Sequence, residues 1–153
     1  MSIILTKMLF KIEQHIPFES KTNAEISKST VGWQLDHALK VINSVSAQAI
    51  NSDPGSYKSS FSFMRIALFK LGFFPRGKAR APKAVRPPEI IVEAEILKQL
   101  QTARTYINKL EILPENAYFN HPMFGMLNKK QTLRFLEIHT NHHLKIIRDI
   151  LKS

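Results

Sequence analysis

Leu136-Glu137-Ile138-His139-Thr140-Asn141-His142-His143-Leu144 gathers three of the chain's six histidines into one short stretch. Around it, Leu136, His139, His143, Ile146 and Ile150 follow one another at steps of three, four, three and four residues. That is the spacing of side chains sharing one face of an α-helix. Two of those five seam positions therefore hold imidazoles where an ordinary core would hold Leu or Ile. Residues four apart lie one turn apart on one face, close enough for both rings to reach a single ion. A hydrogen-bonded pair of core histidines would carry the same spacing. His142 falls beside the seam and reads as exposed or as a neighbour of the ligands.

The same periodicity organises the rest of the chain. Asn128 can cap the histidine helix, which runs to Lys152. Before it, Glu89–Glu111 carries a seam of Ile96, Leu100, Ala103, Ile107 and Leu110, with Pro88 at its entry. Leu113–Asn128 reads as a connection holding Pro114 and the turn His121-Pro122-Met123-Phe124-Gly125. Thr30–Asn51 has the stripe Val31, Leu35, Leu39, Ile42, Val45 and Ala49, stopped by Asp53-Pro54-Gly55. Ser59–Gly72 is so apolar (Phe61, Phe63, Met64, Ile66, Leu68, Phe69) that it predicts a largely buried helix. Ile3–His15, with Ile4, Met8 and Ile12, reads as a short helix ending before Pro17. No strand pattern competes and no repeat is evident. The expectation is a single all-α domain over residues 1–153: four main helices, a short extra N-terminal helix and long crossover loops.

Composition sets outer bounds. The 153 residues suffice for one core without crosslinks, and 44% hydrophobic with 22% charged residues is ordinary for a globular protein. Five glycines suit long helices better than a turn-rich β fold. With no cysteine, disulfides, thiolate metal sites and a Cys nucleophile are excluded. The apolar run Ile3–Phe10 contains Lys7 and lacks a basic leader and a cleavage site, which argues against a secretory signal. No run reaches the roughly 18 apolar residues that span a bilayer, so a cytoplasmic protein without membrane contact is expected.

The net charge is +10. Arg76, Lys78, Arg80, Lys83 and Arg86 lie in a stretch without an acid, inside the proline-rich loop Phe73–Pro88. Prolines 75, 82, 87 and 88 block regular structure there. A loop of that length is functional or a solubilising tether. Arg76, Arg80 and Arg86 are candidates for binding a carboxylate or phosphate, which the guanidinium fork matches.

A metal needs a third ligand. His15, His37 and His121 are the remaining histidines. His37 is the best placed, at the edge of its helix's apolar arc, although it is not centred on the Leu35–Ala49 stripe. His121 sits beside Pro122, where a turn role is the simpler account. Asp36 and Glu137 adjoin the histidines in sequence but point elsewhere on a helix, so either is at most an orienting partner and more simply a solvated carboxylate. Tyr118 could reach the mouth of the site.

Trp33-Gln34-Leu35-Asp36-His37-Ala38-Leu39 on an early helix, followed far downstream by His139-Thr140-Asn141-His142-His143-Leu144, resembles the DinB-like superfamily of metal-binding four-helix bundles, which includes YfiT-type hydrolases. His121-Pro122-Met123-Phe124-Gly125-Met126-Leu127 looks like an uncharacterised subgroup of it. The resemblance implies a DinB-like four-helix bundle holding a divalent ion through His37, His139 and His143. It associates such sites with zinc or nickel; zinc is the default, and nickel, iron or copper suits the same donors. It implies a hydrolase or a low-molecular-weight-thiol S-transferase acting on a small-molecule substrate. An ion with an open position can acidify a water or activate a thiol. The alternative is a non-enzymatic basic binding protein with a structural or vestigial metal site, contacting nucleic acid or an acidic partner through residues 76–86. Without a helix-turn-helix or aromatics interleaved with those charges, nucleic acid is the weaker expectation. A homodimer is compatible with either reading.

Overall fold

The computed structural model describes residues 2–77 and 80–152. Among them are five α-helices: α1 (Ile3–His15), α2 (Val31–Ile50), α3 (Phe63–Leu71), α4 (Glu93–Glu111) and α5 (Lys129–Leu151). A two-stranded antiparallel hairpin, β1 (Tyr118–His121) and β2 (Gly125–Asn128), precedes α5. The protein is thus mostly helical, as expected. The hairpin corrects the reading of Leu113–Asn128 as strand-free. Its strands are four residues long, too short for a period of two to stand out. Gly125, at φ 73°, supplies the left-handed turn position that a side chain resists.

Local chemistry sets the helix ends. Thr30 Oγ1 accepts the Trp33 N–H at 3.0 Å and starts α2. Asn128 and Gln131 form a reciprocal capping box at α5. Helix α4 begins at Glu93, not Glu89: Glu89 and Ile90 form a bend, the β-branched Val92 is extended at the N-cap, and Glu93 and Glu95 then favour the positive helix end. Helix α3 begins at Phe63, not Ser59. Ser62 caps it, and the Arg65 guanidinium donates back to Ser60 O at 2.6 Å, which holds the approach extended. Gly72, at φ 74°, ends it, its N–H donating to Leu68 O at 2.7 Å.

Helix α2 packs against α4 and α5, while α1 packs across α4 and α5. The predicted seams of α2 and α4 are buried at every position. On α1 the inward residues are Leu5, Leu9 and Ile12; Ile4 faces out, so the stripe is displaced from the one read in the sequence. The larger correction concerns α3. It buries only Arg65 and Leu68; Phe69 packs partly buried against the core, while Phe63, Met64, Ile66 and Leu71 are exposed. Its hydrophobic residues surround the helix without forming a stripe, so apolar content alone misassigns it to the core. The loop after α3 returns along α2, where Val85 and Pro87 are buried. The packing of α2 on α5 and this returning loop together position the histidines.

Candidate metal centre

His37 comes from the N-terminal half of α2, and His139 and His143 from successive turns of α5. Because those two helices pack face to face, the three rings meet. Ring centroids lie 5.2 Å apart for His37–His139, 4.7 Å for His37–His143 and 4.6 Å for His139–His143. One nitrogen from each ring lies within 4.8 Å of the others, a grouping that could hold a metal ion. His139 Nε2 and His143 Nε2 are 3.3 Å apart. Two nitrogens bound at about 2.0–2.1 Å to one tetrahedral ion stand about 3.3–3.4 Å apart, so this pair already has the required separation.

The other ring nitrogens explain why these faces converge. His37 Nδ1–H donates to the Val85 carbonyl at 2.8 Å. His143 Nδ1–H donates to Gln34 Oε1 at 2.6 Å. A neutral imidazole carries one N–H, so both bonds leave the Nε2 lone pair free for a metal. This is the usual outer arrangement of metal-bound histidine. His139 differs: its Nδ1 is buried with no hydrogen-bond partner. Its ring is held by Phe135, stacked at 5.9 Å, and by Phe74, edge-on at 5.9 Å. Without an ion, a proton on one Nε2 must separate His139 from His143. A divalent ion satisfies both lone pairs directly, so the donor set fits a metal.

Burial reinforces this. His37 and His143 are buried and His139 is half-buried under aromatic rings. Desolvation pushes the pKa of His139 and His143 well below the ordinary histidine value, with the neighbouring imidazoles adding to it. His37 is lowered by burial first, opposed by the Val85 carbonyl and by Asp36. All three are neutral near pH 7, the protonation state of a ligand.

Around the triad, Trp33 stacks on His37 with centroids 5.2 Å apart. Asp36 is buried, not solvated: it turns away toward α4, accepting Lys40 Nζ at 2.6 Å and Gln99 Nε2 at 2.8 Å. Glu137 is partly exposed and pairs with Arg134 and Ser2. Neither carboxylate makes a bond to a triad ring. His142 packs on Phe74 and against His143, beside the triad and not part of it. His121 has the turn role: its Nδ1 accepts the N–H groups of Met123 and Phe124 at 3.0 and 3.2 Å. Burial pushes its pKa down to about 4. Tyr118 lies on β1, ring to ring with Tyr57.

Arg76 and Arg86 bond to groups outside the triad. Arg76 pairs with Asp149 at 2.7 Å and lines a cavity of about 240 Å³ with Phe74, Asn141, His142 and Lys145. Arg86 donates to Ala81 O at 3.1 Å, and Arg80 is exposed. Lys78 lies outside the described residues. Gln34 and Phe74 are the functional neighbours that sequence reasoning missed. Gln34 stands one turn before His37, and that spacing could have revealed it. Phe74 gives no such signal.

No curated protein and no solved structure matches the chain. A family comparison does, over residues 23–149, a span that includes all three triad histidines and Gln34. The chain belongs to the family described as Protein of unknown function (DUF1569).

Proposed function

We propose that this protein is a metal-dependent enzyme acting on a small molecule, built on a DinB-like four-helix bundle and holding a divalent ion through His37, His139 and His143. The observation that carries this reading is the pairing of three convergent imidazoles with two preset tautomers. The hydrogen bonds to Val85 O and Gln34 Oε1 turn the Nε2 lone pairs of His37 and His143 inward, as ligation of an ion requires. The bound ion would supply Lewis acidity at a position that no imidazole fills. Zinc is the default occupant, and nickel or iron is accepted by the same donors.

The chain's own residues bind and orient. Val85 O and Gln34 Oε1 fix the two ring orientations, and Trp33, Phe74 and Phe135 keep water from the imidazole faces. Hydrolysis and transfer to a low-molecular-weight thiol are the two reaction classes that the DinB-like resemblance implies; among the described residues no carboxylate bonds a triad ring, so substrate or thiol would supply the proton chemistry. The test is metal analysis of protein prepared without a chelating tag, followed by a screen of hydrolase and thiol-transfer substrates with that metal. His139→Ala should lose most bound metal and His142→Ala little. Equal loss from both, or no metal in the parent protein, would overturn the reading.

A further inference from the structure

The segment from Phe61 to Phe73 carries apolar surface that no other part of the described protein covers. Phe61 is 80% exposed, Phe63 75%, Leu71 64% and Met64 54%, with Phe73 and Ile66 close to half. At 100° per residue, the outward arc of α3 runs from Ile66 through Lys70, Phe63, Ala67 and Leu71 to Met64, about 160° of the helix. Scattered apolar residues on a surface need no explanation; six large ones in one short segment do.

Charge decides what could cover it. Between Asp53 and Glu89 the sequence contains Lys58, Arg65, Lys70, Arg76, Lys78, Arg80, Lys83 and Arg86 and no acid. Arg65 is turned inward onto Phe124 O and Ser60 O, and Arg76 is paired with Asp149. Lys58, Lys70, Arg80, Lys83 and Arg86 are exposed. A second copy meeting this face would set cations against cations on chains that each carry +10. A nucleic acid would match the charge and stack on phenylalanine, but Met64, Ile66 and Leu71 offer it nothing. Acyl chains under anionic headgroups match both features: apolar side chains enter the boundary while lysine and arginine stay at headgroup level.

We propose that α3 and its flanking residues dock onto an anionic phospholipid surface, with Phe61, Phe63, Ile66 and Leu71 entering the interface and Lys58, Lys70 and Arg80 meeting the headgroups. The contact proposed is peripheral; no helix among the described residues is long and apolar enough to cross a membrane. Docking comes within one peptide of the metal centre: Phe73 is exposed, and the next residue, Phe74, lies on His139 and His142.

The test uses the full chain and sucrose-loaded vesicles, either phosphatidylcholine alone or mixed with phosphatidylglycerol. Sedimentation with the mixed vesicles is expected, weakening as salt is raised. The double substitution Phe63→Ser/Leu71→Ser should reduce that binding at least about tenfold. Lys70→Glu should reduce it on mixed vesicles only. These side chains are exposed, so circular dichroism and thermal midpoint should hold. Absence of binding to mixed vesicles overturns the proposal, as does equal binding by the apolar double variant, which would mean charge alone. If the parent instead forms a dimer, or binds a single-stranded oligonucleotide, and the variant loses that without any vesicle binding, the face belongs to that partner.

Discussion

Gln34 and His143 are 109 residues apart in sequence, yet Gln34 Oε1 receives the His143 Nδ1–H at 2.6 Å inside the protein. This one bond joins α2 to α5 and selects which nitrogen of His143 faces the triad. Gln34→Leu removes the acceptor while keeping the bulk. Metal affinity, measured by competition with a chromophoric chelator, should fall about 10–100-fold. The stranded N–H should also cost about 1–3 kcal/mol of metal-free stability. Unchanged affinity would show that the tautomer is set elsewhere.

Trp33 is the chain's one tryptophan, and its ring stacks on His37. Titration with nickel or cobalt should therefore quench its emission with a stoichiometry of one ion per chain. His37→Ala should abolish the saturable quenching. Quenching that persists in that variant would place the ion away from the triad.

The pH dependence of metal-free stability follows from five histidines. His37, His121, His139, His142 and His143 all have folded-state pKa values below the ordinary value, with burial the first cause in each. The unfolded chain then binds more protons in the acid range, so stability falls as pH falls. The contribution is complete above about pH 6.5, where the unfolded histidines are neutral too. It is lost on descending through the folded values; for His121 that is about pH 4. Within the window each group contributes up to about 1.4 kcal/mol per pH unit. Urea midpoints measured between pH 7.5 and pH 4.5 should decline steeply below 6.5. A flat profile would contradict the burial of these rings.

His121→Ala should separate fold from site. It leaves the Met123 and Phe124 N–H groups without their acceptor and should cost about 1–3 kcal/mol. Metal stoichiometry should stay the same, since this ring is not among the three. Loss of metal at unchanged stability would give His121 a role at the ion.

The legible parts of the chain were those where physics leaves a period. The seams of α2 and α4 were readable position by position because every member is buried. His139 and His143 were readable from their spacing; His37, off its stripe, was a candidate from its place at the edge of the apolar arc, and only the family resemblance joined it to the pair. It is buried because residues 83–87 fold back on α2, a contact that no local pattern records. Helix α3 was misplaced because a helix apolar on most sides looks the same whether core or exposed surface is its setting. The hairpin was invisible because four-residue strands offer too few alternations.

The bond from His37 to the Val85 carbonyl has a consequence for how this centre can be altered. Exchanging the side chain at 85 disturbs packing but leaves the carbonyl oxygen in place, since every residue brings its own. The backbone's route past α2 is what aims that oxygen, and Pro82, Pro87 and Pro88 constrain the route. Shortening the chain by one residue between Pro82 and Pro87 would therefore turn His37 away while every ligand remained in the sequence. Metal binding should be more sensitive to the length of this stretch than to the identity of its residues.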